Sequence, residues 1–245
     1  MAQKKCIDVK LEDVDSLESY NALYGSDKQK ESLEKKRKAL EMALDTRKFE
    51  ITLYWERAKY FWAFIALTFG AYFLLFKEFD IKEKNLNFYN EALLGISLFG
   101  VFVSICWFFV NKGAKYWQEN WEKHVDLLED EFMGPLYKTT ADNPSSKYES
   151  LNPFKSYRYS VGKINLYLSF SVVLIWLIIV FNRLSIIFHW PEKWEYFNEI
   201  ATVVGFGILI FVCWMNCRST FSNGSKEFTM KKRVLESKKN ESTEQ

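Results

Sequence analysis

Four stretches of this sequence contain no Asp, Glu, Lys, Arg or His: residues 60–76, 92–110, 164–181 and 200–217. A bilayer's hydrocarbon core is about 30 Å thick and takes roughly 17–25 helical residues to cross, so each run is of spanning length. The apolar residues come in blocks, and only 4 Pro occur in 245 residues. The expected fold is therefore all-α: a polytopic membrane protein with four transmembrane helices. Buried core helices of a soluble protein are the alternative, but soluble cores seldom hold four such runs.

The charges around the runs orient them. Lys and Arg number 13 before the first run, 3 between the first two, 8 in the central segment, 2 between the last two and 7 after the fourth. An excess on alternate segments places those segments in the cytoplasm. The expectation is thus four spans with cytoplasmic N- and C-termini. The first run begins about sixty residues in, behind a highly charged segment without a cleavage signal, so it is expected to be retained. A net charge of +2 leaves no electrostatic footprint for phosphate backbones, and no nucleic acid is expected.

Six segments follow: a flexible 1–27, a cytoplasmic amphipathic helix 28–59, transmembrane helices 60–111, a cytoplasmic helix and connector 112–163, transmembrane helices 164–217, and a tail 218–245. From Lys28 to Phe76 there is no Gly before Gly70 and no Pro, and strong helix formers dominate. One helix should therefore pass from water into lipid without a break. Its apolar stripe is expected at Leu33, Leu40, Ala43, Leu44, Ile51, Tyr54, Trp55 and Ala58. The second run likewise continues as a charged helix to a Gly134–Pro135 stop. The first two spans thus read as a long helical hairpin extended into the cytoplasm. Its apolar stripes need covering by a neighbouring copy or another protein.

Small residues four apart permit close helix packing in lipid. Ala66 with Gly70, Gly100 with Ser104, and Ala201 with Gly205 are the candidate packing pairs. At the inner boundary, Trp55, Trp117 and Trp121 suit an aromatic belt. Glu56 and Arg57 lie at the same depth as Lys115, and an ion pair such as Glu56 with Lys115 would fix how the helices leave the membrane; snorkelling into headgroups is the simpler reading. At the outer boundary, Arg183 is expected to snorkel, because a central arginine is disfavoured by about 3 kcal/mol or more. Trp190 belongs to the same interface.

Catalytic chemistry finds little footing. Glu122, His124 and Asp126 are two apart, which spreads them around a helix, and 2 His in the chain exclude a histidine-rich metal site within one subunit. Phosphate loops and nucleophile elbows are missing. The spans lack the carboxylates that mark proton or substrate coupling. Neither cofactor nor metal is expected, nor an enzyme.

The order of aromatic, acidic and basic residues in "YWERAKYFWAF" and "KYWQENWEKHVDLLED" resembles that of the RipA-like octameric membrane protein family of bacteria. The likeness is best over residues 47–131. It implies a homo-oligomer of the bacterial inner membrane, an octamer, with a helical cytoplasmic portion, and it carries no catalytic residue. The function expected is a non-enzymatic ring-shaped pore or channel-like assembly controlled through its cytoplasmic helices. The alternative is a membrane anchor or sensor recruiting a soluble effector in a phage-defence or stress-response system. Expected partners are further copies of the chain, membrane lipids and a soluble cytoplasmic protein.

Overall fold

A computed structural model describes residues 7–25, 30–81, 86–139, 159–191, 230–237 and part of 204–217. The elements run β1 (Ile7–Val14), α1 (Leu17–Ala22), α2 (Lys30–Ile81), α3 (Leu86–Leu128), α4 (Val161–Ile187) and β2 (Met230–Ser237). The protein is mostly helical. Three of its helices, α2, α3 and α4, are long and apolar enough to cross a membrane. The fourth expected span, 200–217, lies partly outside the described residues; those described there up to Asn216, such as Phe211 and Trp214, are helical.

The 52 residues of α2 form one helix, about 78 Å long at ~1.5 Å per residue. The change from charged to apolar sequence leaves the backbone unbroken, as the absence of Pro predicts. α3 ends slightly before its expected stop. A 3-10 turn over Glu129–Glu131 follows, and Gly134 then takes φ +69, a left-handed conformation glycine adopts without strain.

The chain forms two compact units. The first comprises Met1–Met42, His124–Lys138 and Phe221–Gln245. Here the expectation of an all-α chain is corrected: residues 7–14 of the flexible 1–27 and residues 230–237 of the tail are strands. β1 and β2 pair antiparallel, Ile7 facing Ser237 and Val14 facing Met230. Acidic residues on β1 meet basic ones on β2: Asp13 lies 3.9 Å from Lys231 and Glu12 3.8 Å from Lys232. Between β1 and α2, Ser16 and Ser19 form a reciprocal capping box that starts α1. α1 buries Tyr20 beside the end of α3, where its hydroxyl lies 2.8 Å from Nδ1 of His124.

Most of the expected apolar stripe of α2 is covered: Leu40, Ala43, Tyr54 and Ala58 are buried and Leu44 and Ile51 half-buried. Leu33 and Trp55 are exposed instead, and near the start of the helix Ser32 and Lys36 are buried in their place. Lys36 keeps only 2% of its surface, and its ammonium meets Glu131 at 3.2 Å. A buried charge is tolerated when paired, and this partner comes from the 3-10 turn that follows α3. Glu129 is wholly buried too; its carboxylate accepts the backbone N–H groups of Tyr137 and Lys138 and so fixes the turn after α3.

The second unit comprises Ala43–Lys123 and Thr139–Thr220. Within it α2 and α3 run antiparallel, Arg47 meeting Glu122 at 3.4 Å. Further along, Tyr72 of α2, Leu93 of α3 and Trp176 of α4 share one core cluster, with Phe69, Ile96, Val172 and Ile179 packed around it. Burial of such apolar area stabilises a bundle in water; in lipid the close fit itself carries the association. The backbone N–H of Ser160, which caps α4, donates to the carbonyl of Cys217 at 2.9 Å.

Candidate functional site

Three levels of the second unit carry its unusual side chains. The first lies where α2 and α3 change from charged to apolar sequence. The amide of Asn165 on α4 donates to the Tyr54 hydroxyl, and the Asn111 amide reaches the Asn165 carbonyl oxygen at 3.5 Å. All three residues are buried, so one small polar network ties α2, α3 and α4 together. Burial pushes the Tyr54 phenol up and the Asn165 contact lowers it in part, which leaves the phenol neutral at physiological pH. Buried polar groups of this kind hold a bundle in register because each needs its partner.

The expected pair across this boundary, Glu56 with Lys115, does not form. Glu56 pairs with Lys59 at 2.6 Å and Lys115 with Glu119 at 2.7 Å, each on its own helix. The cross-helix link falls instead at Arg47 and Glu122, a few turns further from the apolar runs. Neighbours three or four positions apart on a helix reach each other without bending either backbone, so they win over a longer cross-helix reach. Arg57 lines a groove of about 330 Å³ with Glu50, Val110, Gly113, Ala114 and Trp117. Trp55 is partly exposed and meets the rings of Tyr54 and Trp62 edge-on. Trp117 is 51% exposed, while Trp121 is half-buried nearer the stripe that ends in Val125 and Leu128.

The second level is the core around Trp176. Its indole is fully buried and stacks on Phe69 at 4.3 Å, with Tyr72 edge-on at 5.9 Å. Gly100 closes the third side: a Cβ there would lie 2.4 Å from the indole ring. The Ser104 hydroxyl turns back to the Gly100 carbonyl at 2.7 Å. The Gly100–Ser104 pair is thus used within one chain, between α3 and α4. Ala66 and Gly70 are exposed, and Gly70 has nothing within 4 Å of where a Cβ would stand. Gly205 also faces open space, and Ala201 lies outside the described residues.

The third level holds Arg183, and here the snorkelling expectation is corrected. α4 continues through Asn182 and Arg183 to Ile187, and Arg183 retains only 7% exposure. Its guanidinium lies 5.2 Å from the ring centre of Phe76 and 6.0 Å from that of Tyr72. Two aromatic faces on α2 offer the cation a local electrostatic partner, which offsets part of the cost of burying it. Beyond it, His189 takes φ +50 and the chain folds back, so that Trp190 meets Phe181 edge-on at 5.1 Å.

Sequence reasoning placed Tyr54 only in a stripe and passed over Asn111, Asn165 and Trp176. The signal for the asparagines was present: Asn165 sits inside an otherwise apolar run and Asn111 directly after one. An amide in such a place needs a partner within the protein. Among the described residues no three His, Cys, Asp or Glu side chains converge on a possible metal site.

Comparison with known proteins gives one family. Neither the curated proteins nor the solved structures provide a match. Residues 37–185 match the model of the Octameric membrane protein family (8xMP), a stretch that takes in most of α2, all of α3 and nearly all of α4 and leaves out both strands. With well over half of its length matched, including every described spanning segment, the chain belongs to the octameric membrane protein family.

Proposed function

We propose that the chain is a non-enzymatic subunit of an octameric ring in a bacterial inner membrane, and that the ring presents a cytoplasmic helical platform to a soluble effector. The observation that carries this reading is how little of the apolar part of α2 a single chain covers. Leu67 is 70% and Leu74 71% exposed, and Gly70 between them has open space above it. A face with a flat, small-residue strip flanked by large side chains suits a second helix. The family's octameric description supplies the neighbour.

Four crossings with both ends in the cytoplasm, the first two extended as a long hairpin, complete the topology. The alternating Lys and Arg counts support this orientation. The pairing of β1 with β2 supports the count: strands on one sheet lie on one side of a bilayer, whereas three crossings would separate them. The uncharged run 200–217 is the segment available for a fourth.

Of the two functions left open by the sequence, the platform fits the geometry better. Hydroxyls in the described spans bond to their own helices: Thr68 to Phe64, Ser97 to Leu93, Ser104 to Gly100 and Ser171 to Tyr167. They offer little to a water-filled lumen, which needs polar lining. The first unit, by contrast, exposes Leu11, Leu17 and Leu33, apolar surface of the kind that marks a protein contact. Projection images of the particle purified in mild detergent test assembly, and a monomer refutes it. Ion flux through liposomes carrying the purified ring would overturn the platform reading in favour of the channel. Capture of a stoichiometric soluble partner that is lost on Leu33→Glu, with rings intact, is the expected result.

A further inference from the structure

The groove beside Arg57 is graded along its length. Val110, the last residue of the apolar run of α3, stands at one end. Arg57 follows, half-buried, three residues before the apolar run of α2 begins. Glu50 lies seven residues further from that run, on the same face of α2, about 10.5 Å along the axis. Gly113 adds no side chain, which leaves the opening clear, and Trp117 forms a wall. Several neighbouring charges are already engaged: Glu56 with Lys59, Lys115 with Glu119, Arg47 with Glu122, while Lys112, next to Gly113, is exposed. Arg57 has no carboxylate at ion-pair distance among the described residues, although its groove contains one cation and one anion.

We infer that this groove holds the headgroup of an ethanolamine phospholipid from the leaflet on the side of the charged helix ends. The lipid phosphate sits on the Arg57 guanidinium, whose planar fork suits phosphate oxygens. The headgroup ammonium extends away from the membrane toward Glu50, over the open face of Trp117, where an indole attracts a cation. The acyl chains leave past Val110. The lining is neutral as a pair, so it complements a zwitterion; an anionic lipid would satisfy Arg57 but meet Glu50 with nothing positive. The inference holds whatever the number of subunits and whichever side of the membrane that leaflet faces.

The test uses the full-length protein, purified in detergent and stripped of lipid, titrated with phosphatidylethanolamine or phosphatidylglycerol and read by native mass spectrometry. The native chain is expected to bind the ethanolamine lipid more tightly. Arg57→Gln should weaken both lipids by about tenfold, the loss expected for one charge-assisted contact. Glu50→Gln should erase the preference and leave phosphatidylglycerol binding unchanged. Lys48→Gln, on the exposed side of α2, should change neither. Oligomer elution and helicity verify each variant, and if Arg57→Gln misassembles, the lipid preference of Glu50→Gln decides alone. Preference for phosphatidylglycerol in the native chain overturns the inference, as does unchanged binding by a correctly assembled Arg57→Gln. It is also overturned if Arg57→Gln dissociates the lipid-free oligomer while each subunit still carries its lipid, because the groove would then be a contact between copies.

Discussion

Replacing Gly100 by Ala adds one methyl group at the tightest place in the bundle. That methyl carbon would stand 2.4 Å from Cδ2 and Cε2 of Trp176 and 2.7 Å from Cε3, where ordinary contact begins near 3.4 Å. The indole must therefore retreat by about 1 Å, or α3 and α4 must part by that much. Retreat is blocked, because the opposite face is stacked on Phe69 and the edge is held by Tyr72. Overpacking a filled core costs roughly 1–3 kcal/mol. A rigid ring wall on one side and a second ring behind it put this case near the upper end, about 3 kcal/mol, or roughly a hundredfold in the folding equilibrium. The assay is unfolding of the purified protein by SDS titration, followed by helicity and tryptophan fluorescence. Gly70→Ala is the control: with nothing within 4 Å, it should not ease subunit unfolding, and the better helix propensity of Ala should stabilise the subunit by up to about 1 kcal/mol. Gly100→Ala combined with Trp176→Leu should recover part of the loss, since the smaller side chain makes room. If Gly100→Ala alone unfolds no more easily than the parent, the account of α3 against α4 is wrong.

Tyr54→Phe removes the acceptor for the buried Asn165 amide and should cost about 1–3 kcal/mol in the same titration, the penalty for an unmatched buried donor; Tyr54→Phe with Asn165→Leu should cost less than Tyr54→Phe alone. Burial holds the His124 imidazole below its ordinary value of 6.5, so the folded state binds fewer protons than the unfolded. The stability this contributes is complete above pH 6.5 and is lost as the pH falls through the folded value. Amide protection factors in the first unit, measured against the intrinsic exchange rate at each pH, should accordingly fall on acidification below pH 6.5, and His124→Gln should flatten that dependence. Glu129→Ala leaves the backbone N–H groups of Tyr137 and Lys138 without their acceptor; limited proteolysis should show faster cutting near residues 134–138, with Glu129→Gln cut at an intermediate rate.

Features set by composition over a long window were legible in the sequence. The uncharged runs gave α2, α3 and α4 their spanning length, and the lack of Pro and Gly in the first forty residues of α2 predicted its unbroken passage. What stayed hidden depends on a partner far along the chain. Residues 7–14, "IDVKLEDV", alternate apolar and charged residues at the period of a strand, but no neighbouring segment offers an edge; the edge is 230–237. Lys36 falls outside the expected stripe, and nothing nearby in the sequence announces Glu131 as its partner. Arg183 looked expensive to bury because its aromatic partners lie on α2, far back in the sequence. The packing pairs show the same limit: spacing alone marked Ala66–Gly70 and Gly100–Ser104 alike, and only the position of Trp176 tells a filled pair from an open one.

The ladder between β1 and β2 also constrains how the molecule is made. One of its strands emerges from the ribosome before α2, but the other arrives only after α2, α3 and α4 have been synthesised. The early strand must therefore wait, unpaired, through the insertion of every helix. Loop closure over so long a span grows only logarithmically with length, so the delay is one of timing more than of free energy. A nascent chain stalled before residue 230 would hold α2, α3 and α4 without that ladder, and formation of the ladder would report that translation has passed β2.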